Sequence, residues 1–261
     1  GDTGTFFIKD DGIYHAGFSK EGTPLPEKRL CARLDVLAST CDEHSHNHGH
    51  LLKWRDNRNV IHQWAMPKAL LAGETTDAIR PLYAGGLDIR AGRGTNQKII
   101  EYIQSSAPST ELTCVSKTGW TNDVYVATNK TYGKDADKYI LQSESIVTST
   151  TNQTTTLGTL EEWQANISRF AMGNDRLLLA ISTAFAGALM RFSDADSGMI
   201  HFHGNSTDGK TTLLRCAISV LGSSDNMRTW KGTATGFEAV ASKCNDSLLC
   251  LDELKQANPK E

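Results

Sequence analysis

Eight consecutive residues, Gly204, Asn205, Ser206, Thr207, Asp208, Gly209, Lys210 and Thr211, satisfy the spacing G-x-x-x-x-G-K-[ST] at every specified position. Each residue type has a physical task in such a loop. Glycines let the backbone curl so that successive N–H groups converge on phosphate oxygens, reinforced by the positive end of the helix that follows. The Lys210 ammonium is then placed to reach β- and γ-phosphates, and the Thr211 hydroxyl to ligate Mg²⁺. Composition alone would produce this pattern in roughly one chain of this length in a hundred, so the flanks decide. Met199, Ile200, His201, Phe202 and His203 read as a short alternating strand. Residues 212–221 read as a helix, with Leu213, Leu214, Ala217, Ile218 and Leu221 apolar and Gly222 at its end. Strand, loop, helix is the order a phosphate-binding loop needs; the competing interpretation is a glycine turn that only joins two elements.

A second constellation lies 41 residues beyond Thr211, where the apolar run Leu248, Leu249, Cys250, Leu251 ends in Asp252 and Glu253. Such a run predicts a buried strand over 247–253 that delivers carboxylates to the C-terminal edge of a sheet, where open α/β sheets bind ligands. Asp252 would hold the Mg²⁺ shell and Glu253 would polarise an attacking water. The candidate set is therefore Gly204 to Thr211 with Thr212 for nucleotide, Thr211 and Asp252 for metal, and Lys210 and Glu253 for catalysis, with ATP and Mg²⁺ as cofactors. A water-activating glutamate favours hydrolysis over transfer to another acceptor. Between the two motifs the pattern predicts a strand over 227–231, a turn over 232–236 and a short helix over 237–243. Thr233 and Thr235 would face the nucleotide edge or serve as turn formers.

Cys41, His44, His46, His48 and His50 have zinc-ligand chemistry. An extended segment would put all four histidines on one face, where they converge poorly on one ion, and with Asp42 and Glu43 an exposed loop accounts for the composition equally well. Trp54, Trp64 and Trp120 could stack on bases, but tryptophans in strand-like segments belong more often to a core. Gly92 and Gly94 begin like a dinucleotide fingerprint, yet Gln97 stands where a third glycine is required.

These side chains need a scaffold, and 261 residues suffice for two ordinary domains. A hydrophobic content of 39% with 22% charged residues describes a globular chain, and a net charge of -3 gives no electrostatic reason to expect nucleic-acid binding overall. The chain shows no secretory pattern, and its most apolar run, 177–190, falls short of a membrane span, so a buried helix in a cytoplasmic protein is expected. The six cysteines form no C-x-x-C pair and are expected as reduced thiols.

The first half reads as strand-rich. Thr5 to Ile8 before Asp11 and Gly12 suggests a hairpin, and Leu51 to Trp54 with Val60 to Trp64 suggests another. Residues 67–72 and 95–104 read as helices, and 124–127 and 139–141 as strands. Residues 143–156 are dominated by Ser, Thr, Asn and Gln and predict a polar connection, which places a domain boundary at 157. A helix then starts at a capping box, Thr159 with Glu162, and presents Leu160, Trp163, Ile167 and Phe170 on one face. A second helix over 176–192 is apolar nearly all round and should be covered on most sides. The fold class expected is α/β: a strand-rich α+β domain over 1–157, then an AAA+-like P-loop core over 158–261 that stops after the strand carrying Asp252.

Taken with the runs Gly158 to Trp163, Gly173 to Leu177, Ala184 to Gly187, Ile200 to Thr212 and Leu251 to Leu254, the chain resembles the domain of unknown function catalogued as number 927. Thr229, Trp230, Thr235 and Glu238 fit it, as do Leu51 to Trp54, Ala65 to Pro67 and Thr118 to Trp120 in the first half. That resemblance implies a phage or mobile-element protein, the ATPase part of a replicative helicase or primase–helicase, with DNA as partner, assembly into a ring and no membrane. Two other readings stay open: a P-loop regulatory ATPase acting on protein partners, and a nucleic-acid-binding module with an inactive ATPase core.

Overall fold

The computed structural model describes residues 4–19, 21–128, 130–142, 158–222 and 226–256. In the first of its two compact units, alternating side chains set the strands. Strands β1 (Thr5–Lys9), β2 (Gly12–Ala16) and β3 (Lys28–Cys31) form an antiparallel sheet, with Ile8 opposite Ile13 across the expected first hairpin. Strand β4 (Leu34–Cys41) then pairs with β5 (Gly49–Arg55), and β5 with β6 (Ile61–Pro67), all antiparallel. A bulge between Val36 and Ala38 switches the faces of β4: Leu34 lies opposite Trp54, but Ala38 lies opposite Leu51. Beyond a short 3-10 turn at Lys68–Leu71, helices α1 (Thr75–Ala84) and α2 (Thr95–Ser105) bury Ile79, Leu82, Ile99 and Ile103 against Leu34, Leu52, Trp54, Trp64 and Met66. Trp54 and Trp64 are core residues, the first donating its indole N–H to Gly85 O at 2.8 Å.

Strand β7 (Glu111–Val115) joins β4 in parallel. Three short strands follow, β8 (Gly119–Thr121), β9 (Val124–Val126) and β10 (Thr131–Gly133), paired as an antiparallel meander. The chain then returns as β11 (Tyr139–Leu141), parallel to β7, which completes the five-stranded order β11-β7-β4-β5-β6.

The units divide as Gly1–Ser116 with Asp137–Thr151, and Lys117–Ala136 with Asn152–Glu261. This differs from a single cut at 157, because the meander packs on the second unit. The Trp120 indole N–H donates to Ala188 O at 2.7 Å, and the Tyr125 hydroxyl donates to Asp246 O at 3.0 Å. The polar connection expected over 143–156 lies outside the described residues.

In the second unit, α3 (Leu160–Asn166) opens with the expected capping box, Thr159 Oγ1 accepting from Glu162 N and Thr159 N donating to Glu162 Oε2. It ends early, since Ile167 leaves helical geometry, and a 3-10 turn at Ser168–Ala171 follows. Helix α4 (Asp175–Leu189) is capped by the Asn174 side chain and buries Leu177, Ala180, Ile181 and Ala184. The expectation that this helix is covered on most sides is corrected: Leu178, Leu179, Phe185 and Leu189 are each about half exposed, at 47–59%. One face alone meets α5 (Lys210–Ile218), while the other borders an apolar groove of about 400 Å³ lined by Trp163, Met172, Leu178, Ile181 and Phe185. The unit is completed by β12 (Arg228–Thr229), α6 (Ala234–Ala241) and β13 (Leu251–Asp252). Among the described residues, no helix is long and apolar enough to cross a membrane.

Candidate functional site

The loop over 204–209 leads directly into α5, two residues earlier than the apolar spacing predicts. Its curl depends on left-handed backbone at Thr207 (φ 72°) and at the N-cap Gly209 (φ 80°), and on Gly204 at φ 151°. A Cβ at Gly204 would meet only the Asp208 side chain, whose Oδ2 at 2.8 Å can swing aside, so its backbone angle is the stronger reason for glycine. The Lys210 ammonium folds back over the loop, donating to Gly204 O at 3.1 Å and to Asn205 O. Thr211 and Thr212 stand in the first turn of α5, whose Leu213, Leu214, Ala217 and Ile218 pack with Ala180 of α4, Phe202 and Cys250.

The strand expected over 199–203 is not formed. Met199, Ile200, His201 and His203 are exposed, Phe202 alone turns inward, and no strand pairing holds the segment among the described residues. Without a paired neighbour the backbone groups of 199–203 gain no ladder, and alternation does not by itself make a strand. The segment over 227–231 shrinks to Arg228–Thr229, and that over 247–253 to Leu251–Asp252. The second is half-buried rather than buried, since a two-residue pairing covers only one edge. Helix α6 starts three residues before expectation because the Thr233 hydroxyl caps it, accepting from Gly236 N at 3.2 Å; Thr233 is thus a turn former, and Thr235 lies within the helix.

Short as they are, β12 and β13 run parallel, with Thr229 beside Asp252 and the Trp230 N–H donating to Asp252 O at 3.1 Å. This pairing carries Asp252 to the start of α5, where the Thr211 hydroxyl donates to Asp252 Oδ2 at 2.9 Å. The other carboxylate oxygen accepts the Glu253 N–H at 2.8 Å, and Glu253 itself is exposed with φ 60°. The two motifs read from the sequence therefore meet in space. Beneath them, burial pushes the Cys250 thiol up to about 11 and keeps it neutral.

Mg²⁺ takes hard oxygen ligands in a near-octahedral shell at 2.0–2.1 Å, so neighbouring ligand oxygens lie about 2.9 Å apart. A hydroxyl and a carboxylate oxygen at 2.9 Å fit that requirement. Among the described residues no three His, Cys, Asp or Glu side chains are grouped to hold a metal. In the histidine-rich segment, Asp42 Oδ1 accepts from His44 N and His46 N, and His48 bonds Ser45 O, so the residues form a turn between β4 and β5. His50 instead points into the core, so the four imidazoles do not share a face.

Sequence reasoning missed Asp246. It has φ 48°, its Oδ2 accepts the Trp120 N–H at 2.8 Å, and its carbonyl accepts the Tyr125 hydroxyl. The only local sign is an Asn-Asp pair typical of turns; the partners lie more than 120 residues earlier.

No curated protein sequence matches the chain. Among solved structures it is similar to one described as "SCCmec type IV Cch - active helicase", with a TM-score of 0.63 and 16% identity, over 98% of this chain and 49% of that one. At that identity the likeness shows the fold alone, a mixed α/β arrangement, and the chain spans about half the length of that structure's chain. A family profile described as "Domain of unknown function (DUF927)" matches residues 6–261. The chain belongs to the DUF927 family.

Proposed function

We propose that this chain is the ATP-binding and ATP-hydrolysing module of a mobile-element helicase or primase–helicase-like protein, with DNA as the polymer it acts on. The observation that carries the reading is the 2.9 Å approach of Thr211 to Asp252, which joins a phosphate-binding loop to an acidic strand end. Residues 204–209 would wrap the phosphates with backbone N–H groups, and the start of α5 would add its positive end. The Lys210 ammonium would leave its two carbonyl acceptors for β- and γ-phosphate oxygens, exchanging neutral partners for charged ones. Thr211 and Asp252 would hold Mg²⁺, which when bound neutralises charge on the phosphates. Glu253, exposed just past β13, would accept a proton from the attacking water. The likeness in fold to a chain described as an active helicase supports the helicase assignment, and membership of the DUF927 family agrees with it.

Binding of a fluorescent ATP analogue with Mg²⁺ tests the reading. Lys210→Ala should weaken it by about 10–100-fold, the worth of a charged hydrogen bond. Turnover should rise on adding single- or double-stranded DNA. A natively folded chain that shows no Mg²⁺–ATP binding by calorimetry would end the proposal.

A further inference from the structure

The two-residue strand β13 is too short to fix Asp252 by its own ladder. Two bonds tie its pairing to β12, Arg228 N to Cys250 O and Trp230 N to Asp252 O, at 3.0 and 3.1 Å. Between Ser247 and Cys250 the chain has no regular structure. Upstream of the bonded Cys250, the next point where another element bonds the chain, among the described residues, is Asp246 in the turn at residues 245–247.

That turn is clamped from two sides. On one, β8 and β9 supply the Trp120 N–H to the Asp246 carboxylate and the Tyr125 hydroxyl to the Asp246 carbonyl. A Cβ at Gly119 would lie 2.5 Å from Asp246 Oδ2 and 3.0 Å from Asn245 O, so this strand approaches as closely as a glycine permits. On the other, a Cβ at Gly187 of α4 would lie 2.7, 2.8 and 2.9 Å from Ser247 C, O and Cα. The same meander is seated on α4 by the Trp120 indole bond to Ala188 O. Meander, helix end and turn thus meet at one node, six residues upstream of the carboxylate that meets Thr211.

We propose that Asp246 is a positioning residue for the Thr211–Asp252 pair, and that residues 117–136 belong functionally to the nucleotide site as its rear support. The inference rests on the nucleotide reading above. Removing the Asp246 carboxylate frees Trp120 N, loosens the turn and lets Asp252 drift from Thr211. The P-loop and Lys210 are built on α5, which packs on α4 at Ala180, seven residues before the Gly187 end of that helix that enters the node. The defect therefore falls on the Mg²⁺-dependent part of nucleotide affinity and spares the Mg²⁺-free part.

The experiment measures the affinity of the chain for a fluorescent ATP analogue with Mg²⁺ and with EDTA. The Mg²⁺-dependent gain should fall about fivefold in Asp246→Ala, the equivalent of one ordinary hydrogen bond, with the EDTA affinity unchanged. Asp246→Asn retains an acceptor oxygen for Trp120 N and should keep the gain. Tyr125→Phe, which removes only the second clamp, should lose part of it. Three results would overturn the inference. If Asp246→Ala keeps the full gain, the node does not position Asp252, and the nucleotide reading is untouched. If both affinities fall together, or Asn fails as Ala does, the residue is purely structural. If the wild-type chain binds ATP under neither condition, the nucleotide reading itself fails.

Discussion

Gly187→Ala sets two effects of opposite sign against each other. In an ordinary helix interior the change stabilises by about 1 kcal/mol, because alanine loses less backbone freedom on folding. At this position the new methyl would lie 2.7–2.9 Å from three backbone atoms of Ser247, where carbon contacts relax to about 3.5 Å. About 0.8 Å of movement is needed, and backbone cannot rotate aside as a flexible side chain can. The segment that must move is the one held by Trp120 N and the Tyr125 hydroxyl. Overpacking of this kind costs about 1–3 kcal/mol, and a broken hydrogen bond adds about 1 kcal/mol. The net expectation is destabilisation by about 1–3 kcal/mol, or a fall in Tm of roughly 4–11 °C for a unit of this size. Thermal unfolding and hydrogen exchange of the α4 amides would read it, and Gly187→Val should cost more. A Tm that rises in Gly187→Ala would show that propensity wins and that α4 and the turn have room to part.

Acid should weaken the first unit through His50. Its ring is buried with no hydrogen-bond partner for either nitrogen among the described residues, and burial together with the Lys68 charge lowers its pKa. The unfolded chain takes up this proton near pH 6.5, at about the ordinary value, while the folded chain resists it. Stability is therefore complete above about pH 6.5 and declines as pH falls through and below it; His50→Leu should flatten that part of the urea-midpoint profile, and identical profiles would refute the assignment. Thiol reactivity gives an independent check. Burial pushes Cys31 up to about 12 and Cys114 and Cys250 to about 11, so at pH 8 all three should resist a disulfide reagent until the chain is unfolded. Native labelling of Cys250, read by peptide mass, would contradict its burial against α5.

What could be read in the sequence was local chemistry. The loop, the acidic pair and the capping box at Thr159 each stand out within a few positions; the capping box forms, and Thr211 and Asp252 lie within hydrogen-bond distance. The misses have physical causes. Strand β4 escaped notice because its bulge leaves Leu37 exposed and breaks the alternation. Helix α1 contains Pro81, which reads as a breaker although the helix runs from Thr75 to Ala84. Residues 199–203 alternate well yet lack a partner, and α4 is apolar on faces that the described residues do not cover. The meander's place in the second unit depends on Trp120, Tyr125 and Asp246 meeting across more than 120 positions, and short-range pattern carries no trace of such a meeting.

That long separation has a kinetic side. The chain leaves its five-stranded sheet after β7, makes the meander and returns as β11, so β8–β10 is synthesised long before the turn that receives it. Trp120 and Asp246 are 126 residues apart, which at 5–20 residues per second is roughly 6–25 s on the ribosome. During that interval the first unit can close around β7 and β11, while Trp120 and Tyr125 wait without the surface they pack on. An exposed three-stranded meander with an aromatic face invites pairing with other nascent chains. A piece beginning at residue 158 would inherit the converse defect, since α4 and the turn at Asp246 would have no meander to close on.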